Sequence, residues 1–271
     1  MQYEILKETK EVNNDLTPLI FIHGAYHGAW CYRENFLPYF SEKGYPAYAL
    51  SFRGHGNSEG HEKINVFTLN DYVEDVVMMM NHIEKKPILI GHSMGGAVVQ
   101  KVLQSYSERV EGAVLMSSAP PNGIAGELIR GIFKNIKVPK HEREGQDKLF
   151  FSDDLDKDKR DRYIKELQPE SNKVIKRLLR RIVPRSQKNS NIKLMVLGST
   201  KDKCVSIKSV MDTAKFYGVE PVILDNVNHD MMLDTHWITA AEHINRFLIS
   251  VNTKKVERIV DDYGTTRLIS S

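Results

Sequence analysis

Ile88-Leu89-Ile90-Gly91-His92-Ser93-Met94-Gly95, continued by Gly96-Ala97-Val98-Val99-Gln100-Lys101-Val102-Leu103, is the stretch that decides the fold. A short β-branched run stops at a Gly-x-Ser-x-Gly pentapeptide, and a helical pattern begins at once. Strand, sharp turn and helix form the context in which such a serine becomes a nucleophile. Gly91 and Gly95 lack the Cβ atoms that would collide where strand and helix cross. The turn lifts the Ser93 hydroxyl from the end of a sheet, with a helix N-terminus behind it to favour negative charge.

Outward from this point, apolar runs alternate with amphipathic stretches. That pattern predicts an α/β fold, a mostly parallel twisted sheet with helices on both faces. Tyr3–Glu11 reads as an edge strand and Asn13-Asn14-Asp15 as a turn. Leu19–Ile22 is a buried strand ending at His23-Gly24, and a helix is predicted from Trp30 to Lys43. Ala47–Leu50 is the next strand, followed by the Gly-rich loop Arg53-Gly54-His55-Gly56-Asn57-Ser58. Thr68–Lys85 reads as a helix, with Thr68 and Asp71 spaced as a helix start.

After the strand Val110–Met116 and Pro120-Pro121, the alternation fails for about 70 residues. Charged helical segments replace it. Ile175, Leu178, Leu179, Ile182 and Val183 form one apolar stripe, ended by Pro184. The stripe must pack on the body or line an acyl pocket. Sheet pattern resumes at Ile192–Gly198; a helix at Ile207–Tyr217, a strand at Pro221–Leu224 and a helix at Thr235–Ile249 follow. This divides the chain into a core of residues 1–120 and 191–250, a helical cap of 121–190, and an extension of 251–271 that reads as docked strand, helix or tail.

Composition narrows the setting. With 271 residues, 41% hydrophobic and 27% charged, the chain suits one globular domain with an insertion. It holds no run of about 18 apolar residues, so no transmembrane helix is expected. Met1–Glu8 lacks the basic and apolar regions of a secretory signal. Two cysteines, Cys31 and Cys204, make no disulfide framework, and a reducing, cytoplasmic setting is expected. His23, His27 and Cys31 are close in sequence, but no second cluster completes a metal site, so neither metal nor other cofactor is expected. Net charge is +3, yet residues 121–189 carry 18 Lys/Arg against 11 Asp/Glu, leaving 20 against 24 elsewhere. A basic module on a mildly acidic body is a solvated helical face or an anion-attracting lid. No nucleic-acid partner is expected, and a homodimer is compatible with these numbers.

A serine needs a base, and the base needs an orienting acid. Strand-end loops carry both types of residue. Asp202 lies just past Leu194–Leu197, and His229 just past Val222–Leu224, giving the order Ser93, Asp202, His229. Asp225 belongs to the strand end and Asp230 points away as the neighbour of His229; His92 packs or bonds locally at the elbow. His55, His61, His82, His141, His236 and His243 default to structure or solvent. The oxyanion donors are the backbone N–H groups of Met94 and of Ala25, the latter on the loop after the first buried strand.

Taken together, the elbow, the His23-Gly24 loop, Arg53–Ser58 and the Asp202/His229 pair resemble the α/β-hydrolase superfamily with an inserted helical cap, from about Leu19 to Ile249. His23–Tyr32 is similar to the loop of plant methylesterases and hydroxynitrile lyases. Overall, including His229–Asp234, the chain looks more like bacterial lysophospholipase- or esterase-like hydrolases. It departs at the N-terminus, where one edge strand replaces the usual two. The resemblance implies a cofactor-free serine hydrolase acting on a carboxylic ester or related acyl compound. A lyase, a C–C hydrolase, a haloperoxidase-like perhydrolase and a ligand receptor on the same fold stand as alternatives. An aspartate nucleophile is excluded by serine at position 93.

Overall fold

The computed structural model describes residues 1–8, 16–125, 147–185 and 192–263, with side chains described as far as 252. Seven strands form one sheet: β1 (Ile5–Glu8), β2 (Leu19–Ile22), β3 (Ala47–Leu50), β4 (Ile88–His92), β5 (Gly112–Met116), β6 (Lys193–Ser199) and β7 (Pro221–Leu224). Their order is β1-β3-β2-β4-β5-β6-β7, and only β1 runs antiparallel, against β3. Every residue of β2, β4 and β5 is buried, as expected of parallel strands covered on both faces.

Topology places the site. The chain leaves β2 for β3 on one side, then returns as β4 on the other, so the strand order reverses between β2 and β4. Ligands of open α/β sheets gather outside the carboxyl ends of strands at such a switch point. The register pairs Ile22 with Gly91 and His92 with Met116, so these strands end nearly level. The loops at residues 23–28, 117–121, 200–205 and 225–230 leave from that same edge.

The helices lying within the described residues are α1 (Phe36–Glu42), α2 (Leu69–Asn81), α3 (Met94–Tyr106), α4 (Asp147–Phe150), α5 (Lys157–Glu166), α6 (Asn172–Leu178), α7 (Ile207–Tyr217) and α8 (Trp237–Tyr263). Thr68 caps α2 through a reciprocal pair with Asp71. α7 and β7 have the expected limits, and α7 ends on Gly218 at φ 68°.

Three expectations change. The helix predicted over residues 30–43 divides into a 3₁₀ turn at Ala29–Tyr32 and α1. The stripe from Ile175 to Val183 is not one helix. α6 ends at Leu178, where Arg177 donates to the carbonyls of Arg180, Arg181 and Ile182, while the N–H groups of Ile182 and Val183 bond to Pro121 O. Leu178, Ile182 and Val183 are buried, so this part of the stripe is core. Finally, the last helix runs on through residues 251–263 instead of stopping near Ile249. The expected turn at Asn13–Asp15, the end of the edge strand beyond Glu8, and His141 lie outside the described residues.

Candidate active site

Ser93 joins β4 to α3 with φ 52° and ψ −115°, left-handed backbone that a side-chain-bearing residue adopts only at a cost of about 1–3 kcal/mol. Glycines make the turn feasible. A Cβ on Gly91 would fall 2.6 Å from Gly95 O, and one on Gly95 would collide with the carbonyl oxygens of Ile22 and His23. Ser93 N–H donates to Met116 O, and Ala119 N–H donates to Ser93 O, so both sides of the turn are fastened to the end of β5.

Ser93 shares its conformation with Tyr26 (φ 70°) and Ser117 (φ 43°), the other non-glycine residues with positive φ among the described residues. All three lie at the carboxyl edge of the sheet. Strained backbone gathers where neighbouring structure fixes a functional geometry.

His229 and Asp202, 27 residues apart, meet on adjacent strand-end loops. His229 Nδ1 lies 3.0 Å from each Asp202 carboxylate oxygen. Since a carboxylate only accepts, Nδ1 carries the proton and Nε2 is left as the basic nitrogen. Burial works against the His229 imidazolium, but the charge and hydrogen bond of Asp202, helped by Asp230, raise its pKa above the ordinary 6.5. Burial pushes Asp202 up; the charge of His229 and bonds, including one from the N–H of Val205, outweigh it and hold Asp202 below the usual range. The N–H groups of Cys204 and Val205 reach Asp202 Oδ1 at 2.7 and 2.9 Å. Asp225, by contrast, is exposed.

The serine and histidine segments are fastened through His92. Its Nε2–H donates to His229 O at 3.0 Å, and the two rings lie 4.7 Å apart. Burial, then the like charge of His229, depress the His92 pKa to about 3, so it stays neutral. The expected local bond is therefore a bond across 137 residues.

Gly24 brings the β2 loop against this point; a Cβ there would fall 2.8 Å from His92 Nδ1 and 3.1 Å from Ser93 Cβ. His23 holds the loop from beneath. Phe52 N–H donates to its Nε2 at 3.1 Å, so Nδ1 carries the proton that bonds Gly24 O at 2.8 Å. Among the described residues, the N–H groups of Ala25 and Met94 donate to no acceptor, which leaves both available to an incoming anion.

Several contributors had no local sequence signal. Phe150 of α4 stacks on His229 at 6.0 Å and lies 6.4 Å from the Tyr26 ring. Its carbonyl accepts from Asp230 N–H. Gln168 N–H donates to Tyr26 O at 2.8 Å, and its side-chain oxygen accepts from Gly56 N–H at 2.6 Å. Glu170 is buried beside His55, 3.2 Å away, and accepts from Tyr72 Oη at 2.7 Å. The Arg53–Ser58 loop is thus scaffold, with Arg53 also tied to Asp71 and Asp75. Asp230 does not point away from His229 as expected: its carboxylate lies within 4.8 Å of the nearest ring nitrogens of His92 and His229 and bonds His27, whose Nε2 is 2.9 Å away.

Donor atoms of His92, His229 and Asp230 approach within 4.8 Å of one another, as do those of Asp202, Cys204 and His229. In both sets His229 already bonds Asp202, and burial, with Asp202 nearby, keeps the Cys204 thiol protonated. These donors fit a hydrogen-bonded couple better than a metal cage.

The chain belongs to the serine aminopeptidase, S33, family of α/β hydrolases, whose family model matches residues 17–236. It is 32% identical over 106 residues to ethanol acetyltransferase 1 of Eremothecium cymbalariae, covering 39% of this chain and 29% of that protein. It is 29% identical over 103 residues to a pyrethroid hydrolase of Sphingobium wenxiniae, covering 38% of this chain and 36% of that one. The chain thus spans about a third of the length of these curated relatives. The crystal structure of Paleococcus ferrophilus monoacylglycerol lipase has the same fold, with a TM-score of 0.68 at 18% identity, covering 93% of this chain and all of that one. No helix among the described residues is long and apolar enough to cross a membrane.

Proposed function

We propose that this α/β hydrolase cleaves carboxylic esters through an acyl-enzyme on Ser93. One observation carries the reading: a serine held at φ 52° on a strand-to-helix turn, its neighbour His92 bonded to the segment of an Asp-held histidine. Ser93 Oγ attacks the ester carbonyl while His229 Nε2 takes its proton. Asp202 keeps Nδ1 protonated and stabilises the resulting imidazolium. The N–H groups of Ala25 and Met94 receive the oxyanion. His229 then protonates the departing alcohol. Water, activated by the same histidine, releases the acid and restores Ser93.

Residues 121–190 serve in this reading as the cap. Phe150 and Tyr26 supply apolar surface beside the histidine, which suits an acyl chain and a lysophospholipase- or esterase-like substrate. Cys31 and Cys204 are buried thiols outside any disulfide, consistent with a reducing, cytoplasmic setting. The lyase, C–C hydrolase, perhydrolase and receptor readings share this scaffold, but no residue of the site speaks for them specifically.

The test is fluorophosphonate labelling of the protein and of Ser93→Ala, followed by turnover of p-nitrophenyl esters of graded chain length. Stoichiometric labelling lost with Ser93, together with ester turnover, is expected. Labelling without turnover supports a receptor instead, and no labelling removes Ser93 as nucleophile.

A further inference from the structure

His27 and Asp230 are 203 residues apart, yet their side chains meet at 2.9 Å with relative exposures of 1% and 0%. Neither belongs to the proposed triad. His27 Nδ1 lies 2.8 Å from Ala25 O, and Nε2 lies 2.9 Å from Asp230 Oδ2. A peptide carbonyl and a carboxylate are both acceptors, so each ring nitrogen must supply a proton. A neutral imidazole carries one N–H; an imidazolium carries two. His23, four residues earlier, shows the contrast, with one nitrogen donating and the other accepting.

The surroundings suit a cation. The Trp30 indole stacks on the His27 ring at 5.3 Å and 25° between planes, a geometry that attracts positive charge. The edge of Phe150 closes in at 5.5 Å. On the far side, Asp230 Oδ1 lies 3.7 Å from His92 Nε2 and makes no hydrogen bond.

We propose that His27 and Asp230 form a buried imidazolium–carboxylate clamp that fixes the oxyanion loop to the segment carrying His229, and act as positioning residues for acyl transfer. The clamp grips the peptide of Ala25 at one end. At the other it grips the residue bonded directly to His229, whose backbone N–H is pinned to Phe150 O. Distance between oxyanion donors and base is what a tetrahedral intermediate reads, and a misplacement of about 1 Å costs about 100-fold in rate. A buried ion pair is a poor way to gain stability, since apolar residues of similar volume serve as well or better. Its merit here is directional: two short bonds in fixed orientation. The Asp230 carboxylate has a second effect. It faces His27, His92 and Cys31, and it adds to Asp202 in favouring a proton on His229.

This proposal rests on the catalytic reading of Ser93, Ala25 and His229, so its test has one arm independent of activity. In ¹⁵N-labelled protein under the conditions of the activity assay, both His27 ring nitrogens should carry protons in ¹⁵N–¹H correlation spectra, assigned with His27→Gln. A singly protonated ring overturns the clamp, and this measurement on the unsubstituted protein holds whether or not any variant folds. In the second arm, Asp230→Asn should lower kcat per folded molecule about 10- to 100-fold on p-nitrophenyl acetate, with KM changed less than about twofold. The acid limb of its kcat/KM profile should move to lower pH. The double variant with His27→Gln should lose no more than Asp230→Asn alone, because the two residues act as one unit. Lowered thermal stability with unchanged kcat and unchanged pH profile would overturn the positioning role. Absence of fluorophosphonate labelling in the unsubstituted protein would instead sink the catalytic reading, leaving the NMR arm to decide the ion pair.

Discussion

His92 Nε2 lies 3.0 Å from the carbonyl oxygen of His229, so the residue before the serine holds the backbone of the histidine. The bond joins β4 to a loop 137 residues later and ties the two halves of the proposed proton transfer to a single ring. His92→Phe keeps the aromatic volume and removes the donor. It should lower kcat about fivefold with little change in KM, since one hydrogen bond contributes about 1 kcal/mol. Steady-state kinetics on a short ester decide this; an unchanged kcat would mean that other contacts position His229.

Ser93→Ala should reduce kcat at least about 10⁴-fold. The turn is held by Met116 O and by the N–H of Ala119, neither of which needs the hydroxyl, so the melting temperature should stay near that of the parent. Esterase activity close to the parent's would end the proposed mechanism.

The pH profile follows from the raised pKa of His229. A raised value means the imidazolium persists to higher pH, and the base is usable only once deprotonated. The acid limb of kcat/KM should therefore lie above 6.5. Asp202→Asn removes the leading cause of the rise and leaves burial, which favours the neutral ring. The limb should then move to lower pH while kcat falls about 10⁴-fold. A limb that stays in place would assign it to another group.

Gly95→Ala should destabilise the protein by about 1–3 kcal/mol, because the new methyl group meets the backbone oxygens of Ile22 and His23. These oxygens belong to the end of β2 and cannot rotate aside. Denaturant melts with an unchanged midpoint would show that the turn has more room than its geometry implies.

Phe150 and Leu178 separate substrate effects from packing. Phe150→Ala removes a ring lying over His229 and should shift preference toward longer acyl chains. Leu178→Ala opens a cavity in a buried cluster and should cost about 2–5 kcal/mol with the ester profile unchanged. An ester panel beside thermal melts reads both. The reverse pattern would return the apolar stripe to the role of pocket wall.

What could be read in advance was whatever depends on neighbours in sequence or on strand-end order. The Ser93 turn declares itself through glycines two residues either side. Asp202 and His229 follow from their places just past β6 and β7. Misreadings arose where distant contacts overrule local pattern. The periodicity of Ile175–Val183 fits a single helix, but hydrogen bonds from Ile182 and Val183 to Pro121 O turn the chain first. His27 and Asp230 gave no sign of each other, since a pairing across 203 residues exists only once the sheet has assembled. The positive φ of Tyr26 was equally silent, because a tyrosine gives no hint of left-handed backbone.

The α4–α6 segment grips the site largely through its main chain: Gln168 N–H holds Tyr26 O, and Phe150 O holds Asp230 N–H. Peptide groups are the same in every residue. Side chains facing the substrate can therefore be exchanged one after another without loosening these two grips. Such a segment separates what is recognised from what keeps the reaction centre assembled. Substrate range can then drift through the inward-facing side chains while catalysis is retained, so a library confined to those positions should yield altered ester profiles at a higher rate than inactive proteins.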